Sequence, residues 1–476
     1  MPPKRRKSPS PSPSRREPQS DLGLFEAVVG PLLLLIPAPL LCLLLAWLTS
    51  DERLPDGKSA TLAGLVHYGY EHGIGGLFAS VFELCGVGDS KAWVFLFVFN
   101  FCALLLYWWP GPTKYGPTTP TGHEPDYTDN GLAHCFLSTL MFVGGSNLGL
   151  GFFDLGIVYD TFPATLGALN IFGLVFCVFL YFKGLYAPSG TGRAPDSGRS
   201  GSGVVFDYYW GMELYPRIWG VDVKKFVNCR FSMSYWQLAG ISFAYKSYTL
   251  HGQQLDPGLV LAALSQYIYL VKFFYWEIGY MRSIDIIVDR AGFYETWGCL
   301  TFVPSVYTFH TRLLVRNPSG LSWMGAGIIF VIGLAGVLLN FWADNQRQIF
   351  REQNGQCLVW GAKPQFVRAT YQFVDAATGK VEQRKSLLLA SGWWGIARHF
   401  QYAFELTAAW SWGLLGSGGI SGLLDGRYLG LFYPIFLTIL LVHRAKRDEE
   451  KCLAKYGNGY REYMKLVRYK IVPGLY

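Results

Sequence analysis

Charge is scarce in this chain. Asp, Glu, Lys and Arg make up 16% of its 476 residues, whereas apolar residues make up 51% and mean hydropathy is +0.22. A soluble domain carries about 25% charge, so a water-surrounded globule is excluded and a membrane protein is indicated. Paired cysteines are also missing. The nine cysteines (42, 85, 102, 135, 177, 229, 299, 357 and 452) are scattered, odd in number and without a C-x-x-C, which argues against a disulfide scaffold and a zinc site. G-x-G-x-x-G after a strand, G-x-x-x-x-G-K-[ST], H-E-x-x-H and G-x-S-x-G are all absent, so any nucleotide binds outside a Rossmann fold. No internal repeat occurs, which weakens a transporter reading. The net charge of +8 gathers near the ends of the chain. It forms no basic face for nucleic acid, and two basic ends suggest that both termini are cytosolic.

What is present is apolar and segmented. Residues 1–20 join a basic cluster to alternating Ser and Pro and have no apolar period. They read as a disordered leader that sets orientation, with phosphorylation or acidic-lipid binding as further uses. Charge-poor segments follow at Ala27–Ser50, Ala92–Trp109, Gly131–Phe153, Thr161–Phe182, Phe231–Tyr245, Pro257–Val271, Thr296–Thr311, Asn317–Ala343, Trp394–Leu415 and Tyr428–His443. The expected fold is an all-α polytopic membrane protein, a bundle of about ten transmembrane helices filling 21–476. Gln356–Leu389 differs: aromatic and β-branched residues flank Thr378-Gly379, as in a small extramembrane hairpin. The Gly-rich run at 144–151 reads as close helix packing.

Polar residues inside the apolar segments mark candidate sites. In Tyr267–Asp285, Lys272 and Glu277 bracket a run of aromatics, with Tyr269 one turn before Lys272. A flat apolar ligand with one polar end would suit such a cavity, and a tyrosine hydroxyl there can donate a proton; the alternative is an interfacial aromatic belt with Lys272 reaching outward. Arg347 and Arg351 stand four apart on a helix that continues past its span, where they either grip phosphate or mark the cytosolic side. Arg398 and His399 read as lying inside an apolar helix, with Glu405 two turns on as an ion partner or ligand contact. At Leu440–Gly457 an apolar segment turns into dense charge with no intervening Gly or Pro. If that helix runs on, Arg444, Asp448, Cys452 and Lys455, with Tyr456 alongside, form one stripe. Lipid phosphates would satisfy the stripe as well as a cofactor would.

The series L-x-x-H-R-x-x-R-D-x-x-x-C-x-x-K-Y-G from Leu440 to Gly457 resembles the C-terminal motif of the sterol reductase family. Gly211-Met212-Glu213-Leu214-Tyr215-Pro216-Arg217 is similar to its second motif, with Tyr215 where the family usually has asparagine. The 357–402 segment and the tail resemble the Δ7 branch, and the likeness is best over Gly131–Tyr476. The resemblance implies NADPH-dependent reduction of a sterol C=C bond, at C7–C8 of 5,7-dienes for the Δ7 branch, in the endoplasmic reticulum membrane. It implies cofactor contacts at Arg347, Arg351, Leu389, Trp394, Gln401, Tyr402, Arg444, Asp448, Cys452, Lys455, Tyr456 and Tyr463, and proton donors at Tyr269 and Asp448. Lys272 stands where relatives carry an acid. The implied partners are a sterol from the bilayer, membrane lipids and other membrane enzymes of sterol metabolism, with no nucleic acid and no metal. Reduction at Δ14 or C24(28), and a non-catalytic sterol-binding scaffold, are the competing expectations.

Overall fold

Within lipid a backbone must satisfy its own N–H and C=O groups, and long charge-free segments do this as helices. The computed structural model describes residues 23–50, 62–119, 123–189, 196–374 and 381–476. The Ser/Pro leader and the Thr378-Gly379 turn lie outside the described residues. The main helices are α1 (Phe25–Leu48), α2 (Leu62–Cys85), α3 (Ser90–Tyr107), α4 (Gly131–Gly145), α5 (Phe162–Tyr186) and α6 (Met233–Leu250). They continue with α7 (Pro257–Tyr275), α8 (Phe293–Tyr307), α9 (Trp323–Glu352), α10 (Phe400–Ser417), α11 (Phe432–Tyr456) and α12 (Asn458–Leu466). All ten anticipated segments overlap helices. Among the described residues, six helices are long and apolar enough to cross a membrane, α1, α3, α5, α7, α9 and the Tyr428–Tyr456 segment that contains α11.

Four local readings are corrected. Leu62–Cys85 is helical on both sides of a kink at Gly73, whose φ is +71°, although its glycines and scattered polar residues hid it. Helix α4 stops at Gly145 rather than Phe153, and the Gly-rich run folds back on that end, with Leu150 N donating to Gly144 O at 2.7 Å and Phe152 N to Gly145 O at 2.9 Å. It is a turn, not a helix–helix contact. The Trp394–Leu415 segment is also not one helix: a short turn at Trp393–Ile396 precedes an extended Ala397, and α10 starts only at Phe400. Arg398 and His399 therefore sit in a break, outside any helix.

Helices α7, α9, α10 and α11 converge to position the site, α9 lying along α10. The α9–α10 crossing is close because Gly336 has no side chain. A Cβ there would stand 2.8 Å from Phe404 O and 2.9 Å from Ala408 N, so van der Waals packing of bare backbone holds the pair together. Beyond the helices, β1 (Phe366–Val374) and β2 (Val381–Leu389) form the expected antiparallel hairpin, with Phe366 opposite Leu389 and Thr370 opposite Lys385. Alternation buries Val367 and Ala369 against Tyr460 and Tyr463 of α12. The hairpin is thereby fixed to the C-terminal end of the chain.

Candidate active site

No Gly or Pro follows Pro434 in α11, and the helix runs unbroken through the charged stripe to Tyr456. Asp448 and Cys452, one turn apart, meet with Oδ2 and Sγ at 3.9 Å. At the end of α11, Lys455 Nζ lies 4.3 Å from the Tyr371 ring centre and 5.3 Å from that of Tyr456. Tyr371 and Tyr456 pack edge to face at 5.6 Å, and Tyr456 Oη is 3.4 Å from Ser386 Oγ. Both hairpin strands thus contribute to the wall that the stripe begins.

The break before α10 faces the same wall. Arg398 N donates to Tyr469 O at 3.0 Å and His399 N to Lys470 O at 2.7 Å, so the C-terminal tail pairs with the backbone that α10 leaves unpaired. The buried Arg398 guanidinium donates to Glu449 at 2.8 Å and to the carbonyls of Val467 and Arg468 at 2.5 and 2.9 Å. Lys470 joins Glu449 at 2.6 Å. Glu405 is therefore not the partner of Arg398. His399 Nε2 lies 3.6 Å from Asp448 Oδ2, an ion-pair distance too long for a hydrogen bond. Burial pushes the imidazole down to about 4 against the pull of Asp448, and Arg347 and Arg398 add to the fall. Tyr402 stacks on the His399 ring at 5.3 Å, tilted by 10°.

Arg347 and Arg351 do fall on the continuing helix α9. The Arg347 guanidinium lies 4.0 Å from the centre of a Trp394 ring. Trp394 is held by its Nε1, which donates to Ala343 O at 2.8 Å, and by the Tyr463 hydroxyl, 3.4 Å from Trp394 O. Leu389 is buried beside Trp394 and Phe350. Arg351 is exposed one turn further along. Among the described residues, Arg347, Arg351 and Lys455 have no ion-pair partner. Gln401 is buried with its side-chain Oε1 unpartnered, while its backbone O accepts from Asn340 Nδ2 at 2.9 Å.

Tyr269 lies deeper, on α7, between Trp236 at 5.6 Å and Trp412 at 5.4 Å. Glu405 and Arg444 are the charged groups that act most strongly on its hydroxyl. Lys272 does not reach outward. Its Nζ stands 5.1 Å from the Tyr269 ring centre and donates to Asn340 Oδ1. Asn340 thereby joins the tyrosine region to Gln401 and, through Tyr402 and His399, to Asp448. Arg444 leaves the outer wall and pairs with Asp285 at 3.0 Å, and Arg447 pairs with Asp289 at 2.8 Å. The 211–217 motif braces this acidic segment: Ala291 N donates to Glu213 O at 2.9 Å. A Cβ on Gly211, whose φ is +105°, would lie 2.6 Å from Ala291 C.

The site thus has two ends, an outer wall and an inner tyrosine. Asn340, Asp344, Asp285 and Tyr371 are site residues that the sequence reading did not select. Asp344 shares its surroundings with Arg347, Lys272, Glu405 and Arg444. Its position three residues before Arg347, as an acid next to an apolar span, was a usable signal. Tyr371 had none, because only hairpin packing brings it to Lys455. All nine cysteines are free, and no metal-holding group occurs among the described residues.

Comparison with known proteins places this arrangement among relatives. The model of the Ergosterol biosynthesis ERG4/ERG24 family matches residues 26–476. The chain is 43% identical over 435 residues to a 7-dehydrocholesterol reductase of Arabidopsis thaliana, covering 91% of this chain and 94% of that protein. It is 36% identical over 374 residues to a Delta(14)-sterol reductase of Methylotuvimicrobium alcaliphilum, with 79% and 80% covered. A 7-dehydrocholesterol reductase of Danio rerio is 32% identical over 385 residues, with 80% and 77% covered.

Proposed function

Because the chain belongs to the ergosterol-biosynthesis ERG4/ERG24 family of sterol reductases, we propose that it reduces the C7–C8 double bond of 5,7-diene sterols with NADPH in the endoplasmic reticulum membrane, both termini facing the cytosol. The observation that carries the choice of bond is the 43% identity, over nearly the whole of both chains, to a protein named for that reaction.

The outer wall suits a dinucleotide phosphate. Arg347, Arg351 and Lys455 offer cationic donors without acidic partners, Trp394, Tyr371 and Tyr456 offer aromatic faces, and Gln401 offers an unpartnered buried oxygen. Leu389, Tyr402, Asp448, Cys452 and Tyr463 complete the lining. When bound, NADPH supplies the hydride. At the inner end, the Tyr269 hydroxyl gives its proton to one alkene carbon, leaving the cation that hydride quenches on the other. Trp236 and Trp412 flank the Tyr269 ring and keep water from the cation. Asp448, which solvent reaches, orients His399 and the cofactor end of the site rather than acting as the first donor.

The test is expression in cells that accumulate 5,7-diene sterols, with products read by mass spectrometry. Loss of the diene with gain of the Δ5 sterol is expected. An unchanged diene pool in a well-expressed sample removes this reading, and turnover of a Δ14 substrate instead reassigns the bond.

A further inference from the structure

We infer that Lys272 is a positioning residue for proton donation, its ammonium set against the Tyr269 ring to stabilise the phenolate left when the proton departs. This inference rests on Tyr269 being the proton donor.

The geometry is specific. Tyr269 and Lys272 are three apart on α7 and share a face, so one helical turn brings the Nζ to 5.1 Å from the ring centre. A lysine on a membrane helix usually reaches for water. This one is held inward by Asn340, 5% exposed, whose Oδ1 accepts from Nζ and whose Nδ2 is committed to Gln401 O at 2.9 Å. With both ends of the amide fixed, the ammonium has a defined place. The other groups facing Tyr269 are Glu405 from α10, Tyr307 from α8, Arg444 from α11 and Tyr433, also from α11. Glu405 opposes a phenolate. Arg444 is already engaged by Asp285 at 3.0 Å. Among the described residues, Lys272 is thus the nearby cation whose hydrogen-bond partner is a neutral amide, and its field is shared between the tyrosine and Asp344. A cation 5.1 Å from the ring centre acts on the negative charge that a phenolate spreads from its oxygen into the ring, a charge that develops only as the reaction proceeds.

The step balances. The Tyr269 O–H bond breaks, a C–H bond forms at one alkene carbon, and the electron pair of the O–H bond stays on the phenolate. Hydride from NADPH fills the cation, and a proton from water later restores the phenol.

The experiment compares Lys272→Met and Lys272→Arg with the parent enzyme in detergent. It measures kcat in H2O and D2O, the KM for the sterol, and NADPH binding by fluorescence. Lys272→Met should lower kcat by about 100-fold and raise the solvent isotope effect, leaving NADPH binding unchanged. Lys272→Arg should recover most of the rate. A parent-like kcat and isotope effect in Lys272→Met overturns the inference. So does a loss confined to NADPH binding, or a loss of rate in both variants with an unchanged isotope effect. If the parent enzyme reduces no sterol, it is the functional reading that fails.

Discussion

Asp448 Oδ2 lies 3.6 Å from His399 Nε2, with the aspartate side chain 40% exposed and the imidazole 6%. The exposure of its carboxylate separates Asp448 from the other candidate proton donor, Tyr269. A group meant to protonate an alkene must be shielded from solvent, and the tryptophan-flanked Tyr269 meets that need better than Asp448 does. On the proposed reading, Asp448 orders the outer wall through His399 and Cys452.

Removing it should therefore be felt through the wall. Asp448→Ala is expected to lower kcat/KM by at least about 100-fold, part of it as weaker NADPH binding. Steady-state kinetics on purified protein decide this, and near-normal turnover would remove Asp448 from the machinery.

Arg347 tests the wall from the other side. Its guanidinium lies 4.0 Å from the centre of a Trp394 ring and has no carboxylate partner among the described residues, so its charge is free for phosphate. Arg347→Met should weaken NADPH roughly tenfold or more, about 1.4 kcal/mol, with sterol binding unchanged. Equal losses of both ligands would mark Arg347 as merely structural.

His399 predicts a pH dependence of stability. The unfolded imidazole takes up a proton near the ordinary value of 6.5, whereas burial delays uptake in the folded protein to about 4. As pH falls through that window the unfolded state gains the proton first, so the folded state loses stability, by up to ~3 kcal/mol. Above 6.5 the penalty is absent. Thermal unfolding at pH 7.5 and pH 5 should therefore show a larger drop for the parent protein than for His399→Gln. Equal drops would contradict a buried neutral imidazole.

The Arg398–Glu449–Lys470 group holds the tail on the break. Removing Arg398 leaves Glu449 with Lys470 alone and takes the donor from the Val467 and Arg468 carbonyls, so Arg398→Met is expected to cost about 1–3 kcal/mol. A fall in Tm that NADPH no longer reverses would be the sign. An unchanged Tm would show that the tail is held by its backbone pairs alone.

Much of this was legible in the residues. The absence of Gly and Pro through the charged run left α11 able to continue to Tyr456, as it does, and the i, i+4 spacing of Arg347 and Arg351 pointed to their shared face. Aromatic and β-branched residues on either side of Thr378-Gly379 pointed to the hairpin. What was hidden depended on long-range contacts. Arg398 and His399 read as helical because the tail carbonyls of Tyr469 and Lys470, which stabilise their extended backbone, lie about 70 residues on. Arg444 shared the stripe in sequence yet pairs with Asp285, which no local pattern links to it. The 211–217 motif carried no visible task until Gly211 was found against Ala291.

The most direct test of the account is Tyr269→Phe, which removes one hydroxyl and keeps the ring between Trp236 and Trp412. NADPH binding should be retained while kcat for the 5,7-diene falls by at least about 100-fold. A Tyr269→Phe enzyme that turns over at close to the parent rate would contradict the assignment of the proton to this residue.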